Sequence, residues 1–344
     1  MKTILILYSA FMPYNLIVVK ELIQMGCTVH IVRWTKCNTP YVPSELPNVN
    51  YYDRNTFANV HSLLHKVREI KPDLIWVSGW IDKLYCRVVG LYRKEHDIPV
   101  VVGSDTQWRG GKQWLNVFFS PFRHRRWFSH IFVSGIWQYE YARKLGFDTN
   151  HILMHNLSAD VSTFMSVDIN LKQYHYPHKL LFIGRFVDVK GLSFLLDAWK
   201  SIPDRKGWTL TLVGNGPLRD TLNGFPDVEI KDFMSQEQLA TEMQNSGAFI
   251  LPSIFEPWAL VLHEAAAGGL PILASNCCGA LPYFVFDNYN GRLFTPGNIS
   301  SIREAIQLLI TTSDEDLIRM SYKSRELSRR INPEIVAQTL LSVI

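Results

Sequence analysis

At 344 residues the chain is long for one hydrophobic core and suited to two domains. Hydrophobic residues at 47% and charged residues at 19% exclude a disordered polymer. Net charge is +4 but uneven: residues 1–165 hold 19 Lys+Arg against 12 Asp+Glu, and the remainder 16 against 19. A basic first half fits either an anionic partner or a solvated basic face.

The first predicted element is a buried strand over Ile4–Tyr8. The run after Met1-Lys2 imitates a signal peptide, but it is short and Pro13 and Asn15 interrupt it, so the strand is the better reading. Further strands are expected at Thr28–Val32, Leu74–Ser78, Val100–Gly103 and Ile131–Ser134. Amphipathic helices are expected between them at Leu16–Met25, Val60–Ile70 and Tyr85–Glu95. Strands alternating with helices imply right-handed βαβ units and a mainly parallel sheet. Polar, turn-forming residues over 167–178 suggest a boundary, placed at 168/169.

The pattern then restarts. Strands are expected at Lys179–Ile183, Trp208–Val213, Val228–Ile230 and Ala248–Leu251, with helices from Gly191 to Lys200, after Pro217 and after Ser235. Residues 313–344 read as two helices, with an acidic first turn at Asp314-Glu315-Asp316 and Pro333 opening the second. The expected fold class is α/β with two doubly wound domains, 1–168 and 169–344, and the last helix can pack back on the first domain. No apolar stretch is long enough to span a bilayer. Five cysteines without CxxC spacing fit a reducing compartment rather than a disulfide framework or a zinc site.

Candidate chemistry is sparse in the first half. The loop Ser9–Asn15 has no glycine, which argues against a GxGxxG dinucleotide site. In the second half Gly184-Arg185-Phe-Val-Asp-Val-Lys190-Gly191 follows a strand and leads into a helix. Arg185 offers a flat fork and Lys190 a mobile charge, a pair suited to a diphosphate; a surface loop with two ordinary cations is the alternative. Val213-Gly214-Asn215-Gly216-Pro217 is a second strand–glycine junction. In Glu256-Pro-Trp-Ala-Leu-Val-Leu-His-Glu264, Pro257 suggests a helix start whose free N–H groups favour a phosphate. Glu264, eight residues after Glu256, returns to the same helical face and can accept hydrogen bonds from sugar hydroxyls. A solvated acidic face is the alternative, but the surrounding Ala and Leu make the helix look buried, so both carboxylates need partners.

Glu256-x7-Glu264, with Phe-Glu-Pro-Trp at its start and Glu-Ala-Ala-Ala-Gly-Gly-Leu-Pro at its end, resembles the signature of retaining GT-B glycosyltransferases of the largest Leloir family. The Gly184-Arg185…Lys190-Gly191 and Val213–Pro217 elements are similar to that family's, as is Asn290-Gly291; Asn156–Phe164 approximates its interdomain motif. The resemblance covers residues 180–295, and the first half shares only strand–helix order.

It implies a GT-B fold of two facing Rossmann-like domains and a retaining, hexosyltransferase-type enzyme of bacterial surface-polysaccharide synthesis. Arg185 and Lys190 would hold the diphosphate, Glu264 the ribose hydroxyls and Glu256 the transferred sugar. Backbone N–H groups of Ala259 and Leu260 would meet the distal phosphate; Asp232 and Phe233 border the base, and Gly184, Gly214 and Asn215 complete the donor set. It implies no metal and no cofactor beyond the nucleotide diphosphate sugar as co-substrate. Asp105 stands nearest the position of the family's first-domain histidine, and Tyr283 replaces an expected acid. An epimerase or phosphorylase on the same scaffold, or a non-catalytic donor-binding subunit, are the alternatives.

Residues 107–128 form a basic aromatic insert. Trp114, Val117 and Phe118 fall at i, i+3, i+4, and Arg123, Arg125 and Arg126 follow Pro121. One reading is a monotopic element contacting an anionic membrane and a lipid-linked acceptor; the other is a core helix under a basic loop. Nothing else supports nucleic acid as a partner. The expected location is cytoplasmic, peripheral on the inner face of the membrane.

Overall fold

The computed structural model describes residues 1–35, 42–222, 224–225 and 227–344; Cys37 lies outside them. The chain divides into two units, Met1–Ser158 with Pro333–Ile344, and Ala159–Asn332.

The first unit carries strands β1 (Thr3–Tyr8), β2 (Thr28–Arg33), β3 (Val49–Asp53), β4 (Leu74–Val77), β5 (Val100–Ser104), β6 (His130–Val133) and β7 (Ile152–Met154). Its helices are α1 (Pro13–Gln24), α2 (Val60–Ile70), α3 (Lys83–Glu95), α4 (Gln113–Phe119), α5 (His124–Trp127) and α6 (Ile136–Lys144). The strands form one sheet in the order β3-β2-β1-β4-β5-β6-β7, every pair parallel. Ile4 to Leu7 and Leu74 to Val77 are buried on both faces, as central strands covered by helices must be. The edge strands β3 and β7 escaped the sequence because β3 has no buried residue and β7 is three residues long.

The second unit contains α7 (Val161–Met165), α8 (Ile169–Lys172), β8 (Lys179–Ile183), α9 (Leu192–Lys200), β9 (Thr209–Val213), β10 (Val228–Lys231), α10 (Gln236–Gln244), β11 (Ala248–Leu251), α11 (Leu260–Ala267), β12 (Ile272–Ser275), α12 (Leu281–Phe284), β13 (Gly291–Phe294), α13 (Ile299–Thr311) and α14 (Asp314–Ser328). Its parallel sheet runs β10-β9-β8-β11-β12-β13. Ser235 caps α10 through a reciprocal capping box with Gln238, the pattern that made this helix legible. The helix expected after Pro217 is only a 3₁₀ turn, Arg219–Leu222, in which Leu222 alone is buried; no apolar stripe holds a longer one.

One boundary differs from that expected, and the last helix packs back on the first unit. The second unit starts at Ala159 rather than 169, because α7 packs on α10 and α11, and α8 on α14. The final helix α15 (Pro333–Leu341) belongs to the first unit, where it packs on α1 and buries Val336, Ala337 and Leu340.

Candidate functional site

In an open parallel sheet, ligands bind outside the carboxyl ends of the strands where strand order reverses. In the second unit the chain builds β8, β9 and β10 outward in one direction, then returns to place β11 beside β8. The reversal therefore lies between β8 and β11, and the loops after these strands are 184–191 and 252–259. They contain Gly184, Arg185, Lys190, Glu256 and Ala259 of the residues expected to hold a donor.

Backbone hydrogen bonds lace these loops together. Phe186 N–H donates to Asn215 O at 2.9 Å, and Ile254 N–H to Val189 O at 2.8 Å. Close approach explains two glycines. A Cβ on Gly191 would lie 2.1 Å from Pro252 O, and one on Gly214 would lie 1.9 Å from Gly184 O, with φ at +68° and +146°. Any side chain there pushes the β8, β9 and β11 loops apart.

Lys190 and Glu256, 66 residues apart in sequence, meet: the Lys190 ammonium is hydrogen-bonded to Glu256 Oε2, with both side chains largely buried. Ser253 Oγ also donates to Glu256 Oε2, at 3.3 Å. Arg185 is exposed, and its guanidinium has no ion-pair or hydrogen-bond partner among the described residues. One cation is thus fixed by a carboxylate and one is available to an incoming anion.

Glu256 does not lie on a helix with Glu264, as their spacing suggested. Pro257 precedes the helix rather than opening it, Glu256 forms a parallel bridge with Cys278, and α11 begins only at Leu260. Ala259 turns the chain into α11 at φ +77°, an uncommon conformation for a residue with a Cβ. The N–H groups of Ala259 and Leu260 have no acceptor among the described residues. Such unpaired N–H groups at a helix start attract an anion.

Glu264, in the second turn of α11, is half-buried, and its carboxyl has no hydrogen-bond partner among the described residues. Burial pushes its pKa up to about 7, and the charge of Asp160 adds to the rise. The partner expected for this carboxylate is therefore not supplied by the described residues.

Its neighbour His263 drew no attention in the sequence, since a lone histidine between apolar residues usually signals only core. It is fully buried and stacked on Phe284 with ring centroids 4.1 Å apart. Nδ1 accepts from Ala159 N–H at 3.1 Å, which leaves Nε2 to donate to Ser328 O at 2.9 Å. Burial holds the ring neutral, its pKa pulled down to about 4. His263 fixes the rotation of α11 and hence the direction of Glu264.

Asp232 pairs with Arg219 at 2.9 Å just beyond β10, and Phe233 beside it is 76% exposed, an uncovered aromatic ring after the third strand. The loop after β12 adds residues that spacing had not selected. Cys277 Sγ donates to Ser253 O at 3.2 Å, and Ser253 is the residue that contacts Glu256. A hydrogen bond from Cys278 holds the Cys277 thiol below its ordinary value, while the Cys278 thiol is raised. Cys27, Cys86 and Cys278 are buried, whereas Cys277 is partly exposed. Iodoacetamide at pH 7.5 is expected to alkylate Cys277 before these three, and a nucleoside diphosphate to slow that reaction. Peptide mapping checks it; equal rates with and without nucleotide separate Cys277 from the ligand site.

The remaining candidates belong to the first unit. Asp105 is exposed just past β5, and its charge raises the pKa of Tyr14, which burial above all pushes up to about 12. The insert forms α4, a 3₁₀ turn at Ser120–Phe122, and α5. It is not a core helix: α4 buries no residue, and Trp114, Phe118 and Phe122 are 58%, 71% and 71% exposed. Arg123, Arg125 and Arg126 are exposed, with Arg123 over the Phe119 ring at 5.1 Å. No described helix is long and apolar enough to cross a membrane.

Residues 170–327 match the family model for glycosyl transferases group 1. An uncharacterized glycosyltransferase of Haemophilus influenzae is 32% identical over 158 residues, 43% of this chain and 44% of that protein. The amylovoran biosynthesis glycosyltransferase AmsK of Erwinia amylovora is 24% identical over 230 residues, 62% of this chain and 54% of that one. The chain thus spans about half the length of the curated relatives it matches. In fold it is similar to Anabaena HepE, solved with UDP and glucose: TM-score 0.74 at 17% identity over 99% of both chains. The fold class is GT-B, two Rossmann-like parallel-sheet units, and the second unit is related by sequence to group 1 glycosyltransferases.

Proposed function

We propose that the protein is a retaining glycosyltransferase that moves a hexose from a nucleotide diphosphate sugar to a glycan or lipid-linked acceptor in cell-surface polysaccharide synthesis. The observation that carries this reading is the convergence at the β8/β11 reversal of a carboxylate-held lysine, an unpaired arginine and unpaired helix N–H groups. These are what a leaving diphosphate needs where its charge develops. Lys190, Arg185 and the N–H groups of Ala259 and Leu260 stabilise the diphosphate, Glu256 meets the sugar and Glu264 the ribose. Asp232 and Phe233 border the base, with Gly184, Gly214 and Asn215 shaping the loops beneath.

In the transfer the bond between the anomeric carbon and the phosphate oxygen breaks, and a bond to the acceptor oxygen forms on the same face. The acceptor proton passes to the departing phosphate oxygen. The similarity to AmsK favours a polysaccharide acceptor, and HepE, also solved with UDP-glucose, makes that donor the first to try. The exposed aromatics of α4 and the 3₁₀ turn, beside Arg123, Arg125 and Arg126, fit attachment to an anionic membrane where a lipid-linked acceptor resides.

A panel of nucleotide sugars tests the reading. The correct donor raises the melting temperature, because a ligand that binds only the native state stabilises it. With acceptor extract it yields an axially or equatorially linked product of the donor's own anomeric configuration, read by NMR. Turnover persists in EDTA, since no group of three His, Cys, Asp or Glu among the described residues could hold a metal. Donor conversion without acceptor indicates an epimerase instead. An inverted product overturns retention, and loss of turnover in EDTA restored by Mg²⁺ overturns the metal-free mechanism.

A further inference from the structure

The adjacent cysteines of the β12 loop have no place in the transfer reaction, yet their sulfurs meet beside the donor loops. Cys277 Sγ lies 3.4 Å and Cys278 Sγ 3.6 Å from Ser275 Oγ, and a hydrogen bond joins the two thiols. Ser275 Oγ itself donates to Ser253 O at 2.5 Å, the carbonyl to which Cys277 also donates at 3.2 Å. The two thiols are thus held together by polar contacts from the β11 and β12 loops. They differ in access: Cys277 is partly exposed and Cys278 fully buried. One sulfur can meet a small solute while the other stands behind it. The hydrogen bond from Cys278 favours the thiolate of Cys277, the form that attacks.

The backbone of this pair is tied to the donor loops. Cys278 bridges Glu256 in parallel, Gly279 N–H donates to Glu256 O at 3.1 Å, and Ala280 N–H to Trp258 O at 2.8 Å. Glu256 in turn holds the Lys190 ammonium. A disulfide between adjacent residues closes a small ring around their own peptide bond and forces that peptide to turn. Such a turn pulls on the bridge that seats Glu256. Strain of this kind also makes a disulfide easy to reduce.

We propose that Cys277 and Cys278 are the site of a reversible oxidation by hydroperoxide, to a disulfide that loosens the donor loops. The Cys277 thiolate attacks the hydroperoxide: an S–O bond forms, the O–O bond breaks, and the departing oxygen takes a proton to leave as water or an alcohol. The Cys278 thiol then attacks the sulfenic sulfur. An S–S bond forms, the S–O bond breaks, and the hydroxyl leaves as water with the Cys278 proton. The pair loses two electrons and two protons, and the hydroperoxide is reduced by the same two electrons. The effect on nucleotide binding rests on the glycosyltransferase reading above, whereas the disulfide and the loosened loop do not.

The test treats the full chain, reduced beforehand, with equimolar hydrogen peroxide near neutral pH and maps it by mass spectrometry. The peptide holding Cys277 and Cys278 is expected to lose two hydrogens and to regain them with dithiothreitol. Cys278→Ser is expected to stop at the sulfenic acid, captured on Cys277 by dimedone, while Cys277→Ser leaves the residue 278 thiol unoxidised. Mapping of the wild-type chain carries the result even where a variant does not fold. Hydrogen exchange at the Gly279 and Ala280 amides is expected to speed roughly tenfold on oxidation, the equivalent of one lost hydrogen bond. UDP affinity, read by calorimetry, is expected to fall by a similar factor and to return on reduction. A stable sulfinic acid on Cys277 beside a free Cys278, or a link from Cys277 to any other cysteine, overturns the pair. A Cys277–Cys278 disulfide that changes neither exchange nor affinity overturns the coupling to the donor loops. Faster exchange in a chain whose reduced form binds no nucleoside diphosphate supports the oxidation site and overturns the glycosyltransferase reading instead.

Discussion

Lys190→Ala is expected to lower kcat/KM by roughly 10²–10³, the cost of removing one well-placed charge-stabilising group from a transition state. Its ammonium is held by Glu256 in a largely buried pair, so the substitution also strands a carboxylate and reduces stability. The two effects separate in Lys190→Ala/Glu256→Gln, which regains thermal stability without regaining turnover. Arg185→Ala supplies the cleaner comparison. Arg185 is exposed and unpartnered among the described residues, so its loss leaves stability within about 0.5 kcal/mol of wild type. Its kcat/KM still falls by at least tenfold if the guanidinium meets the diphosphate. Steady-state kinetics with the donor, run on variants matched for melting temperature, decides it. Near-normal kcat/KM in folded Lys190→Ala/Arg185→Ala would falsify the diphosphate assignment.

The strands that carry the site were legible because each is a short apolar run closed by a glycine or a proline. β8, Lys179–Ile183, ends at Gly184, and β11, Ala248–Leu251, at Pro252. Local spacing also located Lys190, Glu256 and Glu264. It misread the geometry joining them, because a period of 3.6 assumes one unbroken helix and Pro257 stands between. Glu256 is instead fixed by a bridge to Cys278 and an ion pair to Lys190, contacts made across strands that a linear pattern cannot register. Asp160 was visible only as part of an approximate motif. Its influence on Glu264 arises because α7 packs on α11. Cys277 entered the sequence only in a count of thiols, and its contact with Ser253 O comes from the placement of the β12 loop beside the β11 loop. The exposure of α4 was undecidable from spacing, since an aromatic i, i+3, i+4 stripe serves a core or a surface equally well.

Glu264→Gln is expected to stabilise the free protein and weaken nucleotide binding, two effects of opposite sign from one change. The carboxyl is half-buried without a partner among the described residues, and burial lifts its pKa from 4.5 to about 7, with Asp160 adding to the shift. A carboxyl whose native pKa exceeds its unfolded value binds more protons when folded over that window. Stability therefore falls as pH rises from about 4.5 to 7, and the whole penalty persists above it. At about 1.4 kcal/mol per unit, reduced for partial exposure, the variant gains on the order of 1–3 kcal/mol at pH 8 and almost nothing at pH 4.5. On the proposed assignment the ionised carboxylate accepts hydrogen bonds from the ribose hydroxyls, and hydrogen bonds to a charged group contribute about 1.5–3 kcal/mol. Nucleoside diphosphate affinity should then drop roughly tenfold to a hundredfold at pH 8. Wild-type affinity should climb between pH 6 and 8 as the carboxyl ionises, whereas the glutamine variant stays flat. Calorimetric titration and urea unfolding at both pH values read the two effects separately. Raised stability with unchanged affinity would remove Glu264 from the ribose, and lowered stability would mean that the native protein already satisfies its charge.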